Sequence, residues 1–86
     1  MDLKNLMEIA VEEKLAQLIE TINCCQCQQC RTEVAAYALN RLPPKYVSTQ
    51  RGEWLTELDL LHNQQETDII RHILQGIEVI AKNPHH

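Results

Sequence analysis

The chain has 86 residues, room for one domain of ordinary size and no more, so residues 1–86 are expected to form a single unit. With 44% hydrophobic and 23% charged residues, and only 2 Gly and 3 Pro, the composition excludes a disordered or fibrous chain and favours helices. No apolar run approaches the ~20 residues that cross a bilayer, and Met1-Asp2-Leu3-Lys4-Asn5 lacks the basic head and apolar stretch of a secretory leader. A soluble, cytoplasmic protein is expected.

A chain this short hides only about 60–65% of the surface that it exposes when unfolded, so its core is marginal. Phe is absent and aromatics are 3%, which leaves Leu and Ile to build the interior. A metal and a second subunit are the usual remedies, and both are expected here.

The net charge of -4 is unevenly spread. Residues 31–51 carry Arg31, Arg41, Lys45 and Arg51 against Glu33 alone, while the segments on either side are acidic. The three aromatics, Tyr37, Tyr46 and Trp54, lie in or just after this basic stretch. An acidic chain with one basic, aromatic middle disfavours direct DNA coating, which needs a broad cationic face. It suits a compact anionic ligand.

Taken in chain order, residues 3–22 predict a first amphipathic helix. Leu3, Met7, Val11, Leu15, Leu18 and Ile22 recur at steps of three or four, and Asp2 is the expected N-cap. The cysteine segment follows, Cys24-Cys25-Gln26-Cys27-Gln28-Gln29-Cys30. A second helix is expected over about 31–41, ended by Pro43-Pro44. Residues 43–51 should be extended, with a turn at Gly52. A third helix is predicted over 53–62. A fourth runs to about Lys82, with Asn63-Gln64-Gln65-Glu66 as its N-terminal signature and Asn83-Pro84 as its stop. Gly76 inside that helix costs about 1 kcal/mol relative to Ala unless another backbone packs closely there. No stretch alternates in the manner of a half-buried strand. The expectation is all-α: a small four-helix domain with a cysteine knuckle between helices 1 and 2.

Four thiols within seven residues match the sulfur-rich tetrahedral shell that zinc prefers. Zinc on Cys24, Cys25, Cys27 and Cys30 is the leading reading, in a structural role, because a closed shell leaves no open position for catalysis. Such sites contribute on the order of 10–16 kcal/mol of apparent binding energy, more than this core supplies. Adjacent Cys24 and Cys25 reach one ion only through an irregular backbone. Two alternatives stand beside it. An iron–sulfur cluster fits the first three spacings, but Val34 occupies the place of the fourth ligand. Free or redox-active thiols are the other.

The cysteines together with Ala38-Leu39-Asn40-Arg41-Leu42-Pro43-Pro44-Lys45-Tyr46, then Thr49, Gly52 and Asn83-Pro84, resemble the late competence development protein ComFB family over nearly the whole chain. The resemblance implies small, all-helical, cytoplasmic dimers. It implies zinc on the clustered cysteines, here Cys24, Cys25, Cys27 and Cys30. It also implies, for related members, a receptor role toward cyclic dinucleotides such as cyclic di-GMP.

Chemistry nominates Tyr37, Arg41, Lys45, Tyr46 and Arg51 for such a ligand: Arg forks onto phosphate or guanine, and aromatic rings stack on purines. Each also has a plain structural reading. Arg41 complements a helix C-terminus, Tyr46 packs under the Pro-Pro corner, and Lys45 is solvated. His62 and His72 are expected without a metal role, and nothing in the chain forms a catalytic constellation. The expected function is a non-enzymatic, zinc-stabilised dimeric signalling protein that binds a cyclic dinucleotide. The rivals are an adaptor without a small ligand, with a protein partner, and a thiol redox sensor.

Overall fold

The structure, a computed structural model, describes residues 2–22 and 24–82. Among them the order is β1 (Leu3–Asn5), α1 (Leu6–Ile19), α2 (Gln28–Leu39), β2 (Tyr46–Ser48) and α3 (Trp54–Lys82). The chain is therefore mostly helical rather than all-α: it has three helices among the described residues, not four, and a small sheet.

The first departure is at the N-terminus. Leu3 keeps the four-residue step to Met7 and Val11, yet residues 3–5 leave the helix to pair antiparallel with β2, Leu3 opposite Ser48 and Asn5 opposite Tyr46. Asn5, not Asp2, caps α1: its Oδ1 accepts from the backbone N–H of Met7 at 3.1 Å and from that of Lys45 at 2.8 Å. The Leu6 N–H donates to the Lys45 carbonyl at 2.6 Å, so helix start and strand are stitched through one residue. At the other end α1 stops at Ile19, and Ile22 lies beyond it.

α2 presents one residue per turn to the interior, Cys30, Val34 and Ala38, and Leu42 continues the line past its end. It begins three residues earlier than periodicity suggests, because Cys27 serves as its N-cap. Between Pro43 and Arg51 only Tyr46–Ser48 is strand, and the turn begins at Thr49.

α3 is one helix of 29 residues where two were expected. The polar run Asn63-Gln64-Gln65-Glu66 passes through without a break. Its buried stripe, Leu58, Leu61, Ile69, Ile73 and Gly76, is bridged by half-buried Gln65 at the inward register. At about 1.5 Å per residue such a helix is as long as the molecule, which extends 41 Å. α1 and α2 both pack on it, and the core lies between the three: Leu6, Met7, Val11 and Leu15 against Val34 and Ala38 and against Ile69 and Ile73. Asn83-Pro84, the expected stop, and His85-His86 lie outside the described residues. No described helix is long and apolar enough to cross a membrane.

Candidate metal centre and the basic, aromatic segment

The cysteine segment is the link from α1 to α2, and both helices hold it. Gln26 Nε2 donates to the Ile19 carbonyl at 3.1 Å, tying the loop back to the last turn of α1. On the other side Cys27 caps α2 from an extended backbone. Its Sγ accepts from the Cys30 N–H at 3.4 Å, and its carbonyl accepts from the Arg31 N–H at 3.0 Å. A helix start leaves N–H groups without partners and is polarised positive, so it favours a sulfur carrying negative charge.

This arrangement gathers the sulfurs of Cys25, Cys27 and Cys30 within 4.8 Å of one another. Cys25 and Cys27 are exposed and Cys30 is buried. A tetrahedral zinc ion at about 2.3 Å from each sulfur sets the sulfurs about 3.8 Å apart, so a closure of about 1 Å seats such an ion. The donor set is soft and compact, and supplies three of the four ligands that a closed structural site takes. These three residues fit a metal; its identity follows from the donors only as a soft ion.

Cys24 stands apart from that trio. It is half-buried and lines, with Cys25, Cys30, Ile19, Val34 and Ile80, an apolar cavity of about 240 Å³ under the cysteine loop. Burial, followed by the charge of neighbouring Cys25, pushes the Cys24 thiol pKa up. Cys30 is pushed further, to about 12, by burial first, then by hydrogen bonds with Cys25 and Cys27, then by their charge. A soft cation at the cluster reverses these effects, since it binds thiolates and cancels their repulsion.

The five candidates for an anionic ligand do not converge on one point. Tyr37 and Arg41 do meet: the guanidinium lies 3.5 Å from the Tyr37 ring centroid, and Arg41 Nη1 donates to the Tyr37 carbonyl at 2.9 Å. The pair straddles the end of α2, Tyr37 half-buried in its last turn and Arg41 exposed just beyond the C-cap. Lys45 joins Pro43, Pro44, Glu57 and Leu60 around a separate groove of about 280 Å³. Tyr46 does not pack away under the Pro-Pro corner: it projects from β2 with 60% of its surface exposed. Arg51 is exposed in the turn after β2.

Of the histidines, His62 bridges two helices, its Nε2 3.0 Å from Glu13 Oε1 of α1. His72 is half-buried on α3, and its Nδ1 is enclosed without a hydrogen-bond partner. The cap by Cys27 was invisible to periodicity; its only signal is a sulfur three residues before another cysteine at a helix start.

Comparison with known proteins agrees with this architecture. The model of the family described as "Late competence development protein ComFB" matches residues 4–84. The Competence protein ComFB of Bacillus subtilis (strain 168) is 28% identical over 83 residues, covering 95% of this chain and 85% of that protein. A solved structure of the late competence protein ComFB from Bacillus subtilis superposes with a TM-score of 0.79 at 28% identity, covering 95% of this chain and 91% of the other. A knuckle of gathered thiols between two helices, a long third helix and a match along nearly the whole length lead to one assignment: this chain belongs to the ComFB family.

Proposed function

We propose that this protein is a non-enzymatic signalling module of the competence type. In this reading it is a cytoplasmic homodimer braced by zinc, which binds a cyclic dinucleotide, cyclic di-GMP, and transmits that state to a protein partner. Cys25, Cys27 and Cys30 hold the ion, and Cys24, which stands apart from them in the structure, turns in to supply the fourth sulfur.

The observation that carries the nucleotide reading is the Arg41–Tyr37 pair. A guanidinium already seated over a ring, and fixed by a hydrogen bond to the Tyr37 carbonyl, has little freedom left to lose on binding. Its outer plane is open to a purine, and its remaining N–H groups are open to phosphate. In a two-fold dimer the pair occurs twice, which matches a ligand that is itself nearly two-fold symmetric. Lys45, Tyr46 and Arg51 add positive charge and a second aromatic surface in the same stretch of chain.

Calorimetric titration of cyclic di-GMP into the purified protein tests this. The expected result is micromolar binding, reduced at least tenfold by Arg41→Ala. Absence of heat at micromolar concentrations removes the nucleotide from the reading.

A second reading has its own support. α3 leaves Leu55, Leu60, Leu74 and Val79 substantially exposed. A long helix with apolar residues facing out suits a protein partner or a second subunit. As a zinc-braced adaptor without a small ligand, the protein loses partner capture on Leu60→Ser and Leu74→Ser together. Native mass spectrometry reports subunit count and bound metal in the same measurement.

A further inference from the structure

Within the thiol cluster, Cys27 and Cys30 have different surroundings. Cys27 is exposed and is the N-cap of α2, while Cys30 lies in the first turn and is buried. The Cys30 backbone N–H donates to Cys27 Sγ at 3.4 Å, and the two sulfurs are within 4.8 Å. Two residues separate them, Gln28 and Gln29. An outer sulfur at a helix N-cap that an incoming group reaches, beside a buried one within its own reach, is the division of labour of a dithiol that exchanges with disulfides.

We infer that Cys27 and Cys30 form a redox-active dithiol whose substrate is an accessible disulfide, with Cys27 as nucleophile and Cys30 as resolving thiol. Cys27, as thiolate, attacks one sulfur of the substrate R–S–S–R; a Cys27–S–S–R bond forms and RS⁻ leaves. Cys30, giving its proton to the released RS⁻, attacks Cys27 Sγ; the Cys27–Cys30 bond forms and the second RS⁻ leaves. The dithiol gives up two electrons and the substrate disulfide gains them, with both protein protons passing to the released thiolates or to water. The N–H of Cys30 stabilises charge on Cys27 Sγ throughout, a contact that needs only the helix start. With a metal on the cluster, the same oxidation removes two donors at once and releases the ion. The remaining thiols, Cys24 and Cys25, are side by side in the chain and do not hold it alone. The inference stands whether or not a cyclic dinucleotide binds.

The test treats the protein, loaded with zinc and again after chelation, with bis(2-hydroxyethyl) disulfide. The expected product lacks two hydrogens, and alkylation of the remaining thiols marks Cys24 and Cys25 but not Cys27 or Cys30. Metal-loaded protein releases zinc to a chromogenic chelator in step with that product. Cys30→Ser, with helicity checked by circular dichroism, accumulates a mixed disulfide with mercaptoethanol on Cys27. Cys27→Ser reacts at least tenfold more slowly than the unaltered chain. A product disulfide that includes Cys24 or Cys25, or no reaction of the unaltered chain beyond the rate of Cys27→Ser, overturns the inference.

Discussion

The ring of Tyr37 lies where a side chain on residue 76 would begin: a Cβ added to Gly76 would sit 3.1 Å from Tyr37 Cδ1. The same atom would be 3.3 Å from the Val34 carbonyl oxygen, so backbone as well as side chain closes the space. Gly76 thus lets α3 approach α2 at the point where Tyr37 is placed under Arg41.

Gly76→Ala sets two effects against each other. Helix propensity gains about 1 kcal/mol, while overpacking costs about 1–3 kcal/mol. The contact with backbone cannot be relieved by a rotamer change, so the cost prevails and a net loss of about 1 kcal/mol is expected. Gly76→Val adds two more methyls than Gly76→Ala in the same space and loses about 3 kcal/mol. Urea midpoints at constant m-value measure both; a stabilised Gly76→Ala would show that the helices separate freely there.

Asn5 governs a different junction. Its single Oδ1 caps α1 through Met7 and holds the Lys45 N–H that leads into β2. Asn5→Ala removes a cap worth about 0.5–2 kcal/mol and a second hydrogen bond worth about 1 kcal/mol, so a loss of about 2 kcal/mol is expected. Asn5→Asp keeps the acceptor oxygen and recovers most of that in thermal unfolding. Equal loss in both variants would mean that the amide group, rather than the acceptor, holds the junction.

These two residues also show what could be read from the chain. The condition on Gly76 was legible, because an uncompensated glycine in a helix implies a close neighbour, and Val34 supplies the backbone. Asn5 was not: Leu3, Met7 and Val11 keep a helical step, and only pairing with residues more than forty positions away turns Leu3–Asn5 into a strand. The single long α3 was hidden for a local reason. Asn63 and Glu66 have the spacing of a capping box, yet Gln65 carries the inward register between Leu61 and Ile69. In the site, the meeting of Tyr37 and Arg41 followed from their i, i+4 spacing, which holds although α2 ends at Leu39 and Arg41 lies in the turn beyond. The scatter of Lys45, Tyr46 and Arg51 depends on where β1 draws β2. The cysteine cluster was legible from donor density. That adjacent Cys24 and Cys25 would have difficulty sharing one ion was legible too; that Cys24 is the one set apart was not, because side-chain direction in an irregular loop is set by bonds such as Gln26 to Ile19.

Removing metal should reveal how far the core depends on the cluster. An ion present at about 1,000 times its Kd adds about 4 kcal/mol. At roughly 4–8 °C per kcal/mol for a domain of this size, that is a fall in Tm of roughly 15–30 °C on chelation. Cys27→Ser separates the observed cap from the proposed metal ligation: the hydroxyl still caps α2, so the variant should match the chelated protein in Tm and gain nothing from added zinc. A chelated protein with an unchanged Tm would show that the three helices stand without the ion.

The metal-free protein should also lose stability in alkali, and the direction follows from Cys30. Its thiol is raised from 9.0 to about 12, by burial first and then by Cys25 and Cys27. Between those values the unfolded chain has released the proton that the folded chain retains. The folded state therefore binds more protons, and stability falls as pH rises through that window; below the lower value the contribution is fully present. The comparison that isolates the thiol is with Cys30→Ala, whose urea midpoint should fall less steeply between about pH 9 and 11. Zinc-loaded protein should resemble the variant in slope, because a bound cation already holds the sulfur as thiolate at neutral pH. If all three slopes coincide, the Cys30 proton is not what the folded state retains. The alkaline loss would then belong to groups outside the cluster.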